Sequence, residues 1–376
     1  MAREFWTGLL AADGPDPACV DQVQALDVAW LRAQGLAPYI SYRLREAGLL
    51  AQLPEAEQAA LKSAFYSAKV HSTLLTMELK ALLEALQPLG IEPILLKGMA
   101  LGSTLYPSPA TRPTSDLDVL IEPAQLETVQ QVLTARGYQG MGFAPGHQPL
   151  NNHWHAWREP GNGQSVAVEA HWHLVHDQGY ARRMDLRGFY SRAQWADVQG
   201  CPARMLAPAD QLIHACAHLL LHHARSFSLL WLLDLRLLVG RYGQSWDWGE
   251  LVGRAAEYRL AGALRYWLEL TEMWYGPFLP AQAVAALAAA RVTSEERFYL
   301  SRAVGGHAQV WEYVWQRTFG AAGLRQRLGY VRDLFFPSWA FMQYRYGARS
   351  RWLAPLYYGC RFVRAGLVAF RRVGSG

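Results

Sequence analysis

The sequence predicts an α+β protein, a mixed β-sheet with flanking helices embedded in a mostly α-helical chain. Three observations predict it. Up to Leu86, apolar side chains recur at spacings of three and four. Between residues 89 and 175 the pattern changes to short alternating runs punctuated by Gly and Pro. Beyond Pro208 the helical spacing returns and continues almost to the end. Of 376 residues, 51% are hydrophobic and 18% charged, which excludes a disordered chain and supplies a large core. That length exceeds one ordinary core, so more than one folding unit is expected.

The elements follow in order. Val23–Ala33 and Glu55–Leu86 read as helices, the second ended by Pro88-Leu89-Gly90. Ile91–Leu96 reads as a strand that delivers Lys97-Gly98, and Met99–Tyr106 as a short helix. The loop PSPATRPT leads to a strand over Ser115–Ile121, and Pro123–Arg136 is a helix with Pro in its first turn and Gly137 after its end. Asn152–Arg158 and Ser165–Leu174 are strands flanking the turn Pro160-Gly161-Asn162-Gly163. The later helices break near Gly243, Gly276-Pro277, Gly305-Gly306, Gly320 and Pro337. The expected division is a helical region 1–88, an α/β unit 89–205, a helical domain 206–322 and a basic, aromatic helical tail 323–376.

Composition narrows the setting. The four cysteines (Cys19, Cys201, Cys216, Cys360) form no CxxC pair, which excludes a disulfide scaffold and a cysteine zinc ribbon and fits a reducing cytoplasm. No signal-peptide core and no run of about 18 apolar residues occurs, so a cytoplasmic chain is expected. Four Lys against 32 Arg suggests a GC-rich genome and makes Lys97 the last lysine. The net charge of +5 is uneven: from Gly323 onward there are ten Arg and one acid, leaving 26 basic and 30 acidic residues before it. Such a tail suits an anionic partner or membrane surface, or simply lays its Arg stems over its own domain.

The chemistry concentrates between Lys97 and His173. Asp116 and Asp118 are two apart on a strand, so both point to one face about 7 Å apart. Their flanks Leu117, Val119, Leu120 and Ile121 are apolar, and paired carboxylates in a buried strand call for cations. Mg²⁺, a hard ion, takes carboxylate and phosphate oxygens. Glu169 is the candidate third acid, and alternation puts Glu169, His171 and His173 on one face. Gly98 before a helix start would let a phosphate approach the free backbone N–H groups. Arg112 either contacts phosphate or pairs with Asp116, and Lys97 is either a phosphate ligand or an exposed strand end. His214, His218 and His222 share a helix face one turn after Asp210. They either bind zinc or form a polar face bonded to the α/β unit, through Asp234 among others.

In this order Leu95-Leu96-Lys97-Gly98-x-Ala100-Leu101, Arg112, Ser115-Asp116-x-Asp118 and Glu169 resemble the polymerase-β-type nucleotidyltransferase superfamily, specifically its uncharacterised bacterial branch. The resemblance spans roughly residues 30–285, through Trp231-Leu232-Leu233-Asp234-Leu235 and Tyr275-Gly276-Pro277. It implies Mg²⁺ (or Mn²⁺) held by Asp116, Asp118 and Glu169. The triphosphate of an NTP would be bound by Lys97, Gly98, Arg112 and Ser115, with His171, His173, His218, His222 and Asp234 in support. The implied reaction moves an NMP group to an acceptor hydroxyl or phosphate with release of pyrophosphate. The acceptor would be a small molecule, peptide or protein more readily than RNA. Two other readings stay open: an inactive nucleotide-binding scaffold of the same fold, and a His-rich metallohydrolase. The chain departs from the superfamily pattern at Lys97-Gly98, where Gly-Gly or Gly-Ser is common, and at Glu169, where Asp is common.

Overall fold

The computed structural model describes residues 27–140, 152–159, 164–223, 227–304 and 350–359, with the isolated positions 332, 336, 339 and 342. Most of the basic tail, His147 and the turn at 160–163 lie outside the described residues. Two short helices open the described chain, α1 (Val28–Ala33) and α2 (Ala37–Glu46). The long helix α3 (Glu55–Leu86) follows, with the predicted bounds. Glu55 and Glu57 favour its positive N-terminal end, and Leu75, Leu79, Leu82 and Leu86 form its buried seam. Gly90 then turns the chain with a left-handed φ of 67°.

Strand β1 is shorter than expected, only Ile94–Leu95, because Pro93 lacks an N–H and Lys97 begins a helix. Leu96 N–H still donates to the Asp118 carbonyl at 2.9 Å. Helix α4 (Lys97–Leu105), strand β2 (Asp116–Leu120) and helix α5 (Leu126–Ala135) follow, the last capped by left-handed Gly137. Next come β3 (Gln139–Gly140), β4 (His153–Arg158) and β5 (Val166–His171). After a helical turn α6 (Gln178–Ala181) and helix α7 (Leu186–Arg192), a hairpin of β6 (Gln194–Val198) and β7 (Cys201–Met205) closes the sheet. Its two turn residues, Gln199 and Gly200, both have positive φ (53° and 80°), the geometry that matches strand twist. This hairpin was not expected from the sequence.

The seven strands run β3-β4-β5-β2-β1-β7-β6. The β1–β7 and β2–β5 pairs are parallel and the other four antiparallel, so the sheet is mixed. Six helices follow up to Val304: α8 (Pro208–His218), α9 (Leu229–Tyr242), α10 (Trp248–Glu257), α11 (Ala261–Tyr275), α12 (Ala281–Ala289) and α13 (Ser294–Val304). Among the described residues no helix is long and apolar enough to cross a membrane.

Alternation along the strands divides the apolar residues into two cores. Leu95, Leu117, Val119, Val168 and Ala170 pack on one sheet face against the second half of α3 and against Val129 and Leu133 of α5. Ile94 and Leu120 point to the other face and join a larger core of α1, α2, the first half of α3 and the C-terminal helices, where Trp248, Trp267 and Tyr275 are fully buried. Where that second face is not covered by helices it carries the polar residues.

Candidate active site

Register brings the predicted acids together. Asp118 on β2 pairs with Glu169 on β5, which pairs in turn with His155 on β4. The next row is Leu120, His171 and His153. Asp116 lies on the same face, at the end of β2 nearest the open cleft. Lys97, first residue of α4, reaches into this group. Its Nζ donates to Asp118 Oδ1 at 2.7 Å and lies 4.0 Å from Glu169 Oε2. His171 Nε2 stands 2.8 Å from Asp118 Oδ1 and 3.2 Å from Glu169 Oε2. His155 Nδ1 and His153 Nε2 approach the other oxygen of Glu169, at 3.3 and 3.6 Å.

A residue that sequence reasoning missed, buried Asn152, orders these rings. Its Nδ2 donates to the His173 carbonyl at 3.1 Å, which orients the amide. Oδ1 then accepts from His153 Nδ1 at 3.1 Å, and the second N–H points to His171 Nδ1 at 3.3 Å. The two imidazoles are thereby set in opposite tautomers: His153 turns a lone pair toward Glu169, whereas His171 offers an N–H to both carboxylates. Among the described residues His153, Glu169 and His171 form the one group with metal-ligand spacing, their ligand atoms all within 4.8 Å of one another.

Crowding of like charges shapes the acidity. Burial, then the charges of Asp118 and Glu169, push the Asp116 carboxyl up to about 7. Burial would raise Asp118 too, but the Lys97 ammonium and the His171 hydrogen bond overcome it and hold that carboxyl below its usual range. Burial likewise opposes ionisation of Glu169, and its bonds to His155 and His171 hold it well below the usual carboxylate range. Burial and the neighbouring His171 bring His153 down to about 4, so its ring is neutral at pH 7.

Of the other predicted residues, Arg112, Gly98 and Ser115 line the same cleft and His173 does not. Arg112 pairs with Asp234 rather than with Asp116. Its Nε and Nη2 donate to the two carboxylate oxygens at 2.8 and 2.6 Å, and Tyr106 Oη adds a third bond at 2.7 Å. The guanidinium is spent there, and it shapes the loop that leads to β2. Gly98 lines the cleft, but a Cβ on it would lie 2.4 Å from Thr114 Cγ2, so the glycine is required by the packing of Thr114 as well. Ser115 is exposed at the cleft, and its carbonyl accepts from His71 Nε2 at 3.4 Å. His173 lies beyond the end of β5, where its Nδ1 accepts from Val175 N–H at 3.4 Å, and it does not line the cleft. The expected face shared by Glu169, His171 and His173 thus ends at His171, and His153 takes the third place.

The cleft has a volume of about 690 Å³. Its wall opposite the carboxylates carries His218, His222, His223, Trp231 and Leu230. After α8 the chain widens into a π turn over Leu219–His223, which turns these rings inward. His218 stacks on His222 with centroids 4.7 Å apart, and His223 lies 4.3 Å from Trp231. His222 Nε2 is 2.8 Å from His176 Nδ1. Of the His214, His218 and His222 face, His222 meets the α/β unit, through His176, whereas the group with ligand spacing lies across the cleft.

Residues 24–276 match the model of a family described as uncharacterised nucleotidyltransferases. A crystal structure of an antigenic nucleotidyltransferase-like protein from Paracoccidioides brasiliensis is similar at 16% identity and a TM-score of 0.35, over 60% of this chain and 94% of that one. No curated protein matches the sequence.

Proposed function

The chain belongs to the family of uncharacterised nucleotidyltransferases, and from that premise we propose that it moves an NMP group from an NTP to an acceptor, releasing pyrophosphate, in a Mg²⁺-dependent reaction. One observation carries the reading: Asp116, Asp118 and Glu169, from two parallel strands, converge on one face of the sheet inside one cleft. Burial, with the charges of Asp118 and Glu169 beside it, pushes Asp116 up to about 7, so this oxygen donor set would gain from a hard cation such as Mg²⁺ or Mn²⁺. When bound there, such ions would activate the attacking oxygen and stabilise the leaving pyrophosphate.

The chain's own residues supply the rest. The start of α4 offers the backbone N–H groups of Gly98 and Met99 toward phosphate, beside the Lys97 ammonium. Glu169, kept ionised by His155 and His171, is placed to receive the proton of an acceptor hydroxyl. Arg112 acts at one remove, holding the Arg112–Ser115 loop through Asp234. A cleft of about 690 Å³ suits an NTP with a small acceptor or the tip of a peptide or protein better than a folded RNA.

The test is incubation with each labelled NTP, Mg²⁺ and candidate acceptors. Asp116→Ala and Asp118→Ala should each abolish label transfer, and undiminished transfer by either variant refutes the assignment. A second reading, a nucleotide-binding scaffold without transfer, is favoured by the Lys97–Asp118 contact, which already neutralises one acid. Nucleotide binding indifferent to Mg²⁺, with no pyrophosphate released for any acceptor, would select it.

A further inference from the structure

We infer that Lys97 is a built-in cation of the carboxylate site, taking the place of one of the two divalent ions that such transfer chemistry uses, so that the chain binds a single Mg²⁺ or Mn²⁺. The inference rests on the proposed function and specifies its ion requirement.

Three features of the structure support it. The first is position. Lys97 Nζ is 2.7 Å from Asp118 Oδ1 and 4.0 Å from Glu169 Oε2, so the ammonium is held by carboxylates from both strands at once. A flexible lysine that merely visited the cleft would reach one acid from outside. This one is 21% exposed, and its backbone is fixed at the start of α4, whose next four residues, Gly98 to Leu101, are buried.

The second is the backbone. Lys97 has φ 45°, in the left-handed region, one of only three non-glycine residues with positive φ among those described. A long side chain held there costs on the order of 1 kcal/mol. Neighbouring Gly98 would adopt such a conformation more cheaply, yet the turn falls on the lysine. From this position the side chain reaches Asp118 on β2.

The third is charge. Asp116, Asp118 and Glu169 carry three negative charges when all are ionised, and Lys97 supplies one compensating charge. The remainder is two, which one divalent ion matches. His171 adds hydrogen bonds to Asp118 and Glu169 from its Nε2, and His153 turns a lone pair to Glu169. Two divalent ions beside a fixed ammonium would overcharge the group before any nucleotide arrived.

The experiment uses the full chain and Mn²⁺ alone, counting bound ions by equilibrium dialysis and recording their electron paramagnetic resonance. The wild type should bind one Mn²⁺ per chain, with the six-line spectrum of an isolated ion. Lys97→Met should bind two, with the exchange-coupled spectrum of neighbouring ions, and Lys97→Arg should stay at one. If Lys97→Met fails to fold by circular dichroism, the wild-type count still decides: one isolated ion supports the inference. Two coupled ions in the wild type overturn it and leave the transferase proposal standing. An unchanged count in folded Lys97→Met also overturns it. No bound Mn²⁺ in either protein removes the metal-dependent reading itself, and the inference with it.

Discussion

Two ion pairs flank α4, and they are built on opposite principles. Arg112 and Asp234 are almost completely buried and meet through two parallel bonds, with Tyr106 donating a third to the same carboxylate. Every strong donor and acceptor there has a partner. Lys97 and Asp118 meet through one bond, and around them gather Asp116, Glu169 and three histidines. The first pair is a satisfied network, which fixes a shape. The second gathers three acids, one ammonium and three histidines on a sheet face that opens on the cleft.

The comparison is sharpest in stability. Arg112→Ala leaves Asp234 charged and buried, and should cost about 3–5 kcal/mol in urea denaturation. Arg112→Lys should recover only part, since an ammonium cannot make both parallel bonds. Lys97→Met should cost less, about 1.5–3 kcal/mol for a lost charged hydrogen bond. Millimolar Mg²⁺ should restore the melting temperature of Lys97→Met and leave that of Arg112→Ala unchanged. Equal, magnesium-insensitive losses would erase the distinction between the pairs.

Gly98 tests the boundary between the two. A Cβ would sit 2.4 Å from Thr114 Cγ2, and Thr114 is bonded to Arg112 Nη1 at 3.1 Å. Gly98→Ala should therefore cost about 1–3 kcal/mol by overpacking. Thr114→Ala in the same chain should recover most of it. A double variant no more stable than Gly98→Ala would show that the glycine serves something other than this contact.

The smallest effect is read against pH. His214 has no counter-ion to compare with either pair, and burial brings it down from 6.5 to about 3. The folded form excludes a proton that the unfolded chain accepts. Stability is then complete above pH 6.5 and falls as pH drops toward 3, by about 1.4 kcal/mol per pH unit for one linked proton. His214→Gln should flatten that slope in urea midpoints recorded from pH 7 to 5, and an unaltered slope would exclude His214 as its source.

Much of the site was legible in the sequence because strand alternation carries its geometry. Asp116, Asp118 and Glu169 were readable from SDLDVLI and VAVEAH, and the bounds of α3 from its seam of leucines. His153 and His155 alternate by the same rule in HWHAWR, and the register sets them opposite His171 and Glu169. Asn152 carried no such signal, since a tautomer-setting amide depends on three partners brought together by folding. Arg112 was expected to contact phosphate or to pair with Asp116, yet its partner Asp234 lies 122 residues away on α9, beyond any local pattern. His173 was placed too far along a strand that ends at His171, and the short β6–β7 hairpin was hidden because its turn residues, Gln199 and Gly200, are an unusual pair for that geometry.

Helix α3 has 32 residues, about 48 Å of unbroken rod. Its first half, with Leu61 and Ala64, belongs to the helical core, and its second half, from Leu75 to Leu86, to the core beneath the sheet. His71 stands between the halves and lines the cleft. A single rigid strut thus anchors both banks of the opening, so clamshell closure would require bending the rod itself. Reactants are better imagined threading into a gap of set width, with selectivity exercised by side-chain movement at its mouth.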